Sequence, residues 1–288
     1  MKRIAELLIL VVLFITLSTD LFAENFTIDC ALIDNNNVRV LFSIPERLKV
    51  QRIDLYRSSS NLNEIPIDMY AYPITKFLIS GDDIKNSFID RFVAHNTTYY
   101  YVAKIRIEDG LPISSNVAYI TIPDVVLGHL ANPGFLIDKV HYYLEVRDNE
   151  QPRKRYPIAL GQNPMKRKLH QDNSSTPEGI YKIINLQPKA TFYKAYDINY
   201  PNRTDRVRYN RAKAENRIVA RGDRIPGIGG EIQIHGMGIW NNWTFGCIAM
   251  RNKNIDELFS HKEIGVGTPV IIIGREITRE NIVHMKDR

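Results

Sequence analysis

Apolar and polar side chains alternate with a period of two through much of this sequence, and that pattern commits a chain to sheets with unlike faces. In the first half the alternating runs are Phe26–Ile33, Val38–Ile44, Ile53–Arg57, Tyr99–Ile107 and Val117–Ile122. Turn residues separate them at Asp34–Asn37, Pro45, Ser58–Asn63 and Gly110, without helical periodicity between. Short strands at this spacing predict an antiparallel β-sandwich over 24–123. Tyr99, Tyr101, Ala103 and Ile105 mark the core face of one strand.

Pro123–Phe135 (PDVVLGHLANPGF) reads as a linker ending in a Pro-Gly turn, with His129 on its surface, and 124–136 is assigned to it. Alternation resumes in a second domain, expected over 137–275. Val140, Tyr142, Leu144 and Val146 predict one strand; Tyr156–Leu160, Phe192–Ile198 and Gly267–Ile273 predict others. Pro201–Arg217 lacks alternation and is rich in arginine, which predicts a basic surface helix with Pro201 in its first turn. Asn252 or Asn254 is expected to cap a helix whose Ile255, Leu258 and Phe259 lie at i, i+3 and i+4. Residues 276–288 are left as a tail. Two domains suit a chain of 288 residues, and 44% hydrophobic content suffices for two cores.

The first 23 residues have the three parts of an export signal. Lys2 and Arg3 precede the apolar run Leu7–Leu17, and Ser18–Ala23 is a short exit. The run is too short to span a bilayer, so cleavage after Ala23 is expected, with no transmembrane span left behind. The net charge of +6 is unevenly placed: residues 24–138 carry 10 basic and 14 acidic side chains, and residues 139–224 carry 19 and 9. Such a basic field suits an acidic polymer, nucleic acid or anionic lipid, and charge alone does not choose among them. Cys30 and Cys247 are the two cysteines, which excludes a disulfide framework.

The stretch IQIHGMGIWNNWTFGCIAM (232–250) carries the chemistry. Ile232 and Ile234 share one strand face, and the strand delivers His235 where Gly236 and Gly238 break the pattern. Three chemistries fit His235 and Cys247. Zinc needs three or four ligands, and no CxxC or HxxxH pair accompanies these two. A structural pair would be a satisfied core histidine and an inert buried thiol. A nucleophile with its base would use Gly246 to let backbone N–H groups approach a substrate. No cofactor or metal is expected.

Two resemblances follow from these residues. The strand ending His235-Gly236, then Thr244-Phe245-Gly246-Cys247-Ile248, resembles the signature of the L,D-transpeptidases (YkuD-like catalytic domain). IDKVHYYLEV, YPIALG, STPEGIYKI and GTPVIII match further landmarks in order. VRVLFSIP, IDLYRSS, TTYYYVAKIRIEDG and SNVAYITIP resemble a fibronectin type III domain, with Phe42 where that family often has tryptophan. The implied fold is mainly β: a fibronectin type III-like sandwich followed by a β-rich L,D-transpeptidase catalytic domain with short helices.

The resemblance implies Cys247 as acylated nucleophile, His235 as base, and the Gly236 carbonyl as its orienter. Gly246 and Cys247 N–H groups would bind the oxyanion, and Thr244, with Trp243 and Phe245 beside it, would shape the site. Ala249 stands where the family commonly has arginine, which leaves Arg251 to meet a substrate carboxylate. The implied partners are peptidoglycan stem peptides in the periplasm, and a lipoprotein or wall-associated protein through the fibronectin-like domain; nucleic acid is not among them.

Overall fold

The computed structural model of the chain describes residues 25–61, 74–80, 86–108, 110–220 and 222–286. The expected export signal lies outside them. The first half folds into two antiparallel sheets. One joins β1 (Thr27–Asp34), β2 (Asn37–Ser43) and β5 (Ser87–Asp90) in the order β1-β2-β5. The other comprises β3 (Val50–Ser58), β4 (Ile74–Ser80), β6 (Thr97–Ile107), β7 (Ile113–Ser114) and β8 (Ala118–Ile122). It runs β4-β3-β6-β7, with β8 also on β6. Tyr99, Tyr101, Ala103 and Ile105 are all buried, and they share one core with Val38, Val40 and Phe42 of the facing sheet. Period-two alternation thus places one face of each sheet in a common sandwich.

The second half is built on one eight-stranded mixed sheet. Its strands are β9 (Pro133–Asp138), β10 (Tyr143–Asp148), β11 (Gln151–Pro157), β12 (Gly179–Ala190), β13 (Tyr193–Ile198), β14 (Gln233–His235), β15 (Ile248–Ala249) and β16 (Pro269–Ile273). They are ordered β11-β10-β9-β16-β12-β13-β14-β15, parallel at β9/β16 and β14/β15 and antiparallel elsewhere. Phe135, Leu144, Val146, Tyr196, Ile234, Ile248 and Ile272 meet in its core. Three helices accompany it: α1 (Arg203–Ala214), α2 (Asn252–Ser260) and α3 (Arg279–Lys286).

Several boundaries differ from the sequence expectations. The segment expected as a linker is packed, with Leu127 and Leu130 buried in the second core and β9 already begun at Pro133. His129 is exposed as expected, and its Nδ1 lies 2.6 Å from Glu263. The strand expected to include Val140 and Tyr142 starts at Tyr143. The Asp138 carboxylate accepts the N–H groups of Val140 and His141, and Tyr142 sits at φ 59° in the resulting turn. Residues 276–286 of the expected tail are packed, because Ile277 and Ile282 are buried beside Leu136 and Ile273.

Helix boundaries move for reasons of capping. Asn202 caps α1 and exchanges hydrogen bonds with Asp205, so Pro201 lies outside the first turn. Neither asparagine caps α2, whose N-cap is Arg251. The Asn252 side chain instead accepts the Met237 N–H at 2.8 Å, bracing the loop that follows His235.

The two halves meet through buried polar contacts. The Arg57 guanidinium, 2% exposed, donates to Asp90 at 2.7 Å, to Phe92 O at 3.0 Å and to His141 O at 2.8 Å. Tyr143 of β10 is buried in the sandwich core. His95 Nδ1 accepts the Arg155 N–H at 3.0 Å, and its Nε2 meets Asn36 Oδ1. Because an amide oxygen accepts, the proton is on Nε2, and the ring fits this junction in its neutral form.

Candidate active site

Strands β13, β14 and β15 end beside a cleft of about 590 Å³ whose walls include Asp197, Glu231, His235, Thr244, Phe245 and Cys247. His235 arrives on β14, paired with Ala195 of β13 and Ala249 of β15, so three strands fix its backbone. Its side chain is 1% exposed. The ring packs against Phe192, centroid 4.9 Å away, and Trp243, at 5.4 Å and edge-on, which also touch each other. Nδ1 is 2.8 Å from the Gly236 carbonyl oxygen. A carbonyl can only accept, so Nδ1 carries the proton and Nε2 offers its lone pair. Nε2 is buried without a hydrogen-bond partner among the described residues. Burial holds the imidazole below its ordinary pKa, while the bond to Gly236 opposes that shift.

Cys247 is half-buried, and both cysteines of the chain are free thiols. Its Sγ donates to the Glu231 carbonyl at 3.5 Å. Burial pushes the thiol pKa up, and the Gln233 main-chain N–H and the Lys168 charge pull it down. The resting pair is therefore thiol and neutral imidazole, one with a proton to give and the other with a site to take it. Cys30 sits in the other half, its thiol pushed up to about 11 by burial and Asp29.

Thr244 shapes the turn before the cysteine. Its Oγ1 donates to Cys247 O at 2.8 Å and accepts the Gly246 N–H at 3.2 Å. That second bond engages, within the turn, the Gly246 N–H that the resemblance gave to the oxyanion. Gly246 stands at φ +137°, and a Cβ there would lie 2.7 Å from Ser175 O. No other residue fits without moving backbone.

Trp243 and Phe245 lie at the cleft as expected, Phe245 with 72% of its surface exposed. Arg251 does not. It is half-buried at the start of α2, outside the cleft wall, and its charge interacts with Tyr99 of the sandwich. Ala249 is fully buried against Ala159, Ile239 and Trp243, leaving no space for an arginine.

Sequence reasoning missed three groups. Asp197 lines the cleft and accepts hydrogen bonds from the amides of Asn185, Gln187 and Gln233. Phe192 covers His235. Lys168, 3% exposed, reaches from the loop after β11 and donates to Phe245 O at 3.1 Å. Gly161–Asp172 reads in the sequence as a polar, basic loop, which gives no reason to separate Lys168 from Lys166 and Arg167.

Residues 133–272 match the family model of the YkuD L,D-transpeptidase catalytic domain. Over 119 residues the chain is 28% identical to "Putative L,D-transpeptidase YafK" of Escherichia coli (strain K12), which is 41% of this chain and 40% of that protein. The namesake from Escherichia coli O157:H7 matches equally. The chain thus spans about 40% of the length of these curated relatives. A solved L,D-transpeptidase from Xylanimonas cellulosilytica (residues 123–326) is 12% identical with a TM-score of 0.34, covering 52% of this chain and 64% of that one. L,D-transpeptidase 1 of Mycobacterium tuberculosis is 10% identical with a TM-score of 0.31, covering 62% and 72%. These two likenesses are too loose to carry argument. Residues 133–272 of this chain thus match the L,D-transpeptidase catalytic domain of the YkuD family.

Proposed function

We propose that this chain is an exported, periplasmic, cysteine-dependent L,D-transpeptidase acting on peptidoglycan tetrapeptide stems. The observation that carries this reading is the state of His235. Its Nδ1 proton is held by Gly236 O, and its bare Nε2 lies in the cleft that Cys247 also lines.

The chemistry follows from that arrangement. His235 Nε2 takes the Cys247 proton as the sulfur attacks the carbonyl of the L,D bond between diaminopimelate and D-Ala. The oxyanion develops beside the turn that Thr244 and Gly246 hold, with the Cys247 main-chain N–H as its donor, since Thr244 occupies the Gly246 N–H. His235 returns the proton to the departing D-Ala amine, leaving a thioester on Cys247. A second stem's amine then displaces the sulfur and forms a 3→3 cross-link. Asp197 and Glu231 give the cleft a negative wall, which favours an ammonium-bearing acceptor over water. The three-stranded β1-β2-β5 sheet facing β4-β3-β6 supports a fibronectin type III-like module that positions this domain at the wall or holds a lipoprotein.

Incubation with tetrapeptide muropeptides, followed by mass spectrometry of D-Ala, tests the reading. The parent protein releases D-Ala and cross-linked dimers accumulate. Tripeptide product without dimers would make it an L,D-carboxypeptidase, and release by Cys247→Ala at the parental rate would refute the nucleophile. A protein that binds sacculi without any turnover would be a wall-binding module.

A further inference from the structure

An ammonium group behind the Cys247 turn has no carboxylate partner. The Lys168 side chain is 3% exposed, and no ion pair with an acid is formed by it among the described residues. Its Nζ donates to Phe245 O at 3.1 Å, and a Cβ on Gly246 would sit 3.2 Å from that nitrogen. The ammonium therefore lies against the two residues that precede the nucleophile. A buried charge without a counter-ion is costly, and natural folds retain one where an opposite charge forms nearby. Burial lowers the Lys168 pKa, and the Cys247 thiolate is the largest charge opposing that shift, ahead of Asp172, which is already paired with Arg224 at 3.1 Å.

We propose that Lys168 is the positioning and counter-ion residue of the site: it holds the Phe245–Gly246 peptide and stabilises Cys247 as a thiolate once His235 has taken its proton. The inference rests on the proposed role of Cys247 as nucleophile. The fold secures the loop on both sides. Arg208 of α1 donates to Lys168 O at 2.7 Å. The buried Lys139 ammonium bonds Lys166 O at 2.9 Å and Thr176 O at 2.8 Å, clamping the two ends of the loop. The charges that act on the sulfur are Lys168 from this loop, Asp197 on β13 and Glu231 just before β14, and His235 on β14 lines the same cleft. Both acids oppose the thiolate, and Lys168 favours it as a fixed cation beside the imidazolium that His235 becomes, with the Gln233 N–H assisting.

Alkylation of Cys247 by iodoacetamide, followed across pH by mass spectrometry, reads the thiolate directly and needs no peptidoglycan. Lys168→Gln can still donate to Phe245 O but has no charge. Its alkylation midpoint moves up by about one pH unit, so its rate at neutral pH falls about tenfold. Lys168→Arg restores most of the loss. An unchanged midpoint in a folded Lys168→Gln protein overturns the proposal.

If Lys168→Gln fails to fold, NMR titration of the Lys168 ammonium in the parent and in Cys247→Ser decides instead. Removing the thiolate makes the ammonium lose its proton at lower pH, by reciprocity of the coupling. Identical titrations would refute the pairing. A shifted alkylation profile in a protein that releases no D-Ala would leave the Lys168–Cys247 pair standing and defeat the transpeptidase reading. D-Ala release with an unshifted profile would do the reverse.

Discussion

At the scale of single residues, hydrogen bonds to fixed partners hold the polar atoms of the cleft in place. Gly236 O fixes the His235 proton on Nδ1, Thr244 Oγ1 takes the Gly246 N–H, and Lys168 binds Phe245 O. Gly246 is the tightest point, with Ser175 O 2.7 Å from where a Cβ would stand. Gly246→Ala is expected to destabilise the fold by about 1–3 kcal/mol through backbone strain and to displace Cys247. Thermal melting together with the rate of Cys247 alkylation checks it; parental values for both would contradict it. His235, Gly236, Thr244 and Cys247 were legible in the sequence because a histidine and a cysteine beside glycines form a pattern. Lys168, Asp197 and Phe192 were not, since they come from a loop and a distant strand whose proximity is created by sheet order.

At the scale of elements, the second half is organised around a buried ion pair. Lys139 Nζ lies 2.9 Å from Glu178 Oε1, with both side chains at most 1% exposed. Glu178 Oε2 accepts the N–H groups of Glu276 and Ile277, which anchors the approach to α3. Glu178→Gln leaves the Lys139 ammonium buried without its counter-charge, and the expected loss is about 3–5 kcal/mol. Urea unfolding measures it; a loss under 1 kcal/mol would mean that Lys139 is neutral in the fold. Within STPEG, the Thr176 main-chain carbonyl and the Glu178 carboxylate both accept from Lys139. Strands with clean alternation were readable to within a few residues, as β1, β2 and β8 illustrate. Boundaries set by side-chain capping were not. Asp138 delayed the start of an expected strand, Asn202 displaced Pro201 from α1, and Asn252 turned to the His235 loop instead of its own helix.

At the scale of the whole molecule, the expected linker proved to be part of the second core, and the halves share Arg57, Tyr143 and His95 at their junction. Burial, together with the Arg155 and Lys154 charges, lowers the pKa of His95 below its usual 6.5. A group whose folded pKa is depressed binds more protons when unfolded. Its stabilising effect is therefore complete above about pH 6.5 and declines as pH falls from there toward the folded pKa. His235 contributes with the same sign. Melting temperature should fall on acidification through this window, less steeply for His95→Gln; equal slopes would remove His95 from the effect.

The proposed acyl transfer passes through Cys247. Acid-quenched reactions with tetrapeptide stems, digested and mapped by mass spectrometry, test this step. The expected result is a tripeptidyl thioester on Cys247, absent from Cys247→Ala, with Cys30 unmodified. D-Ala accumulating while no adduct forms on Cys247 under these conditions, or an adduct that persists in Cys247→Ala, would contradict it.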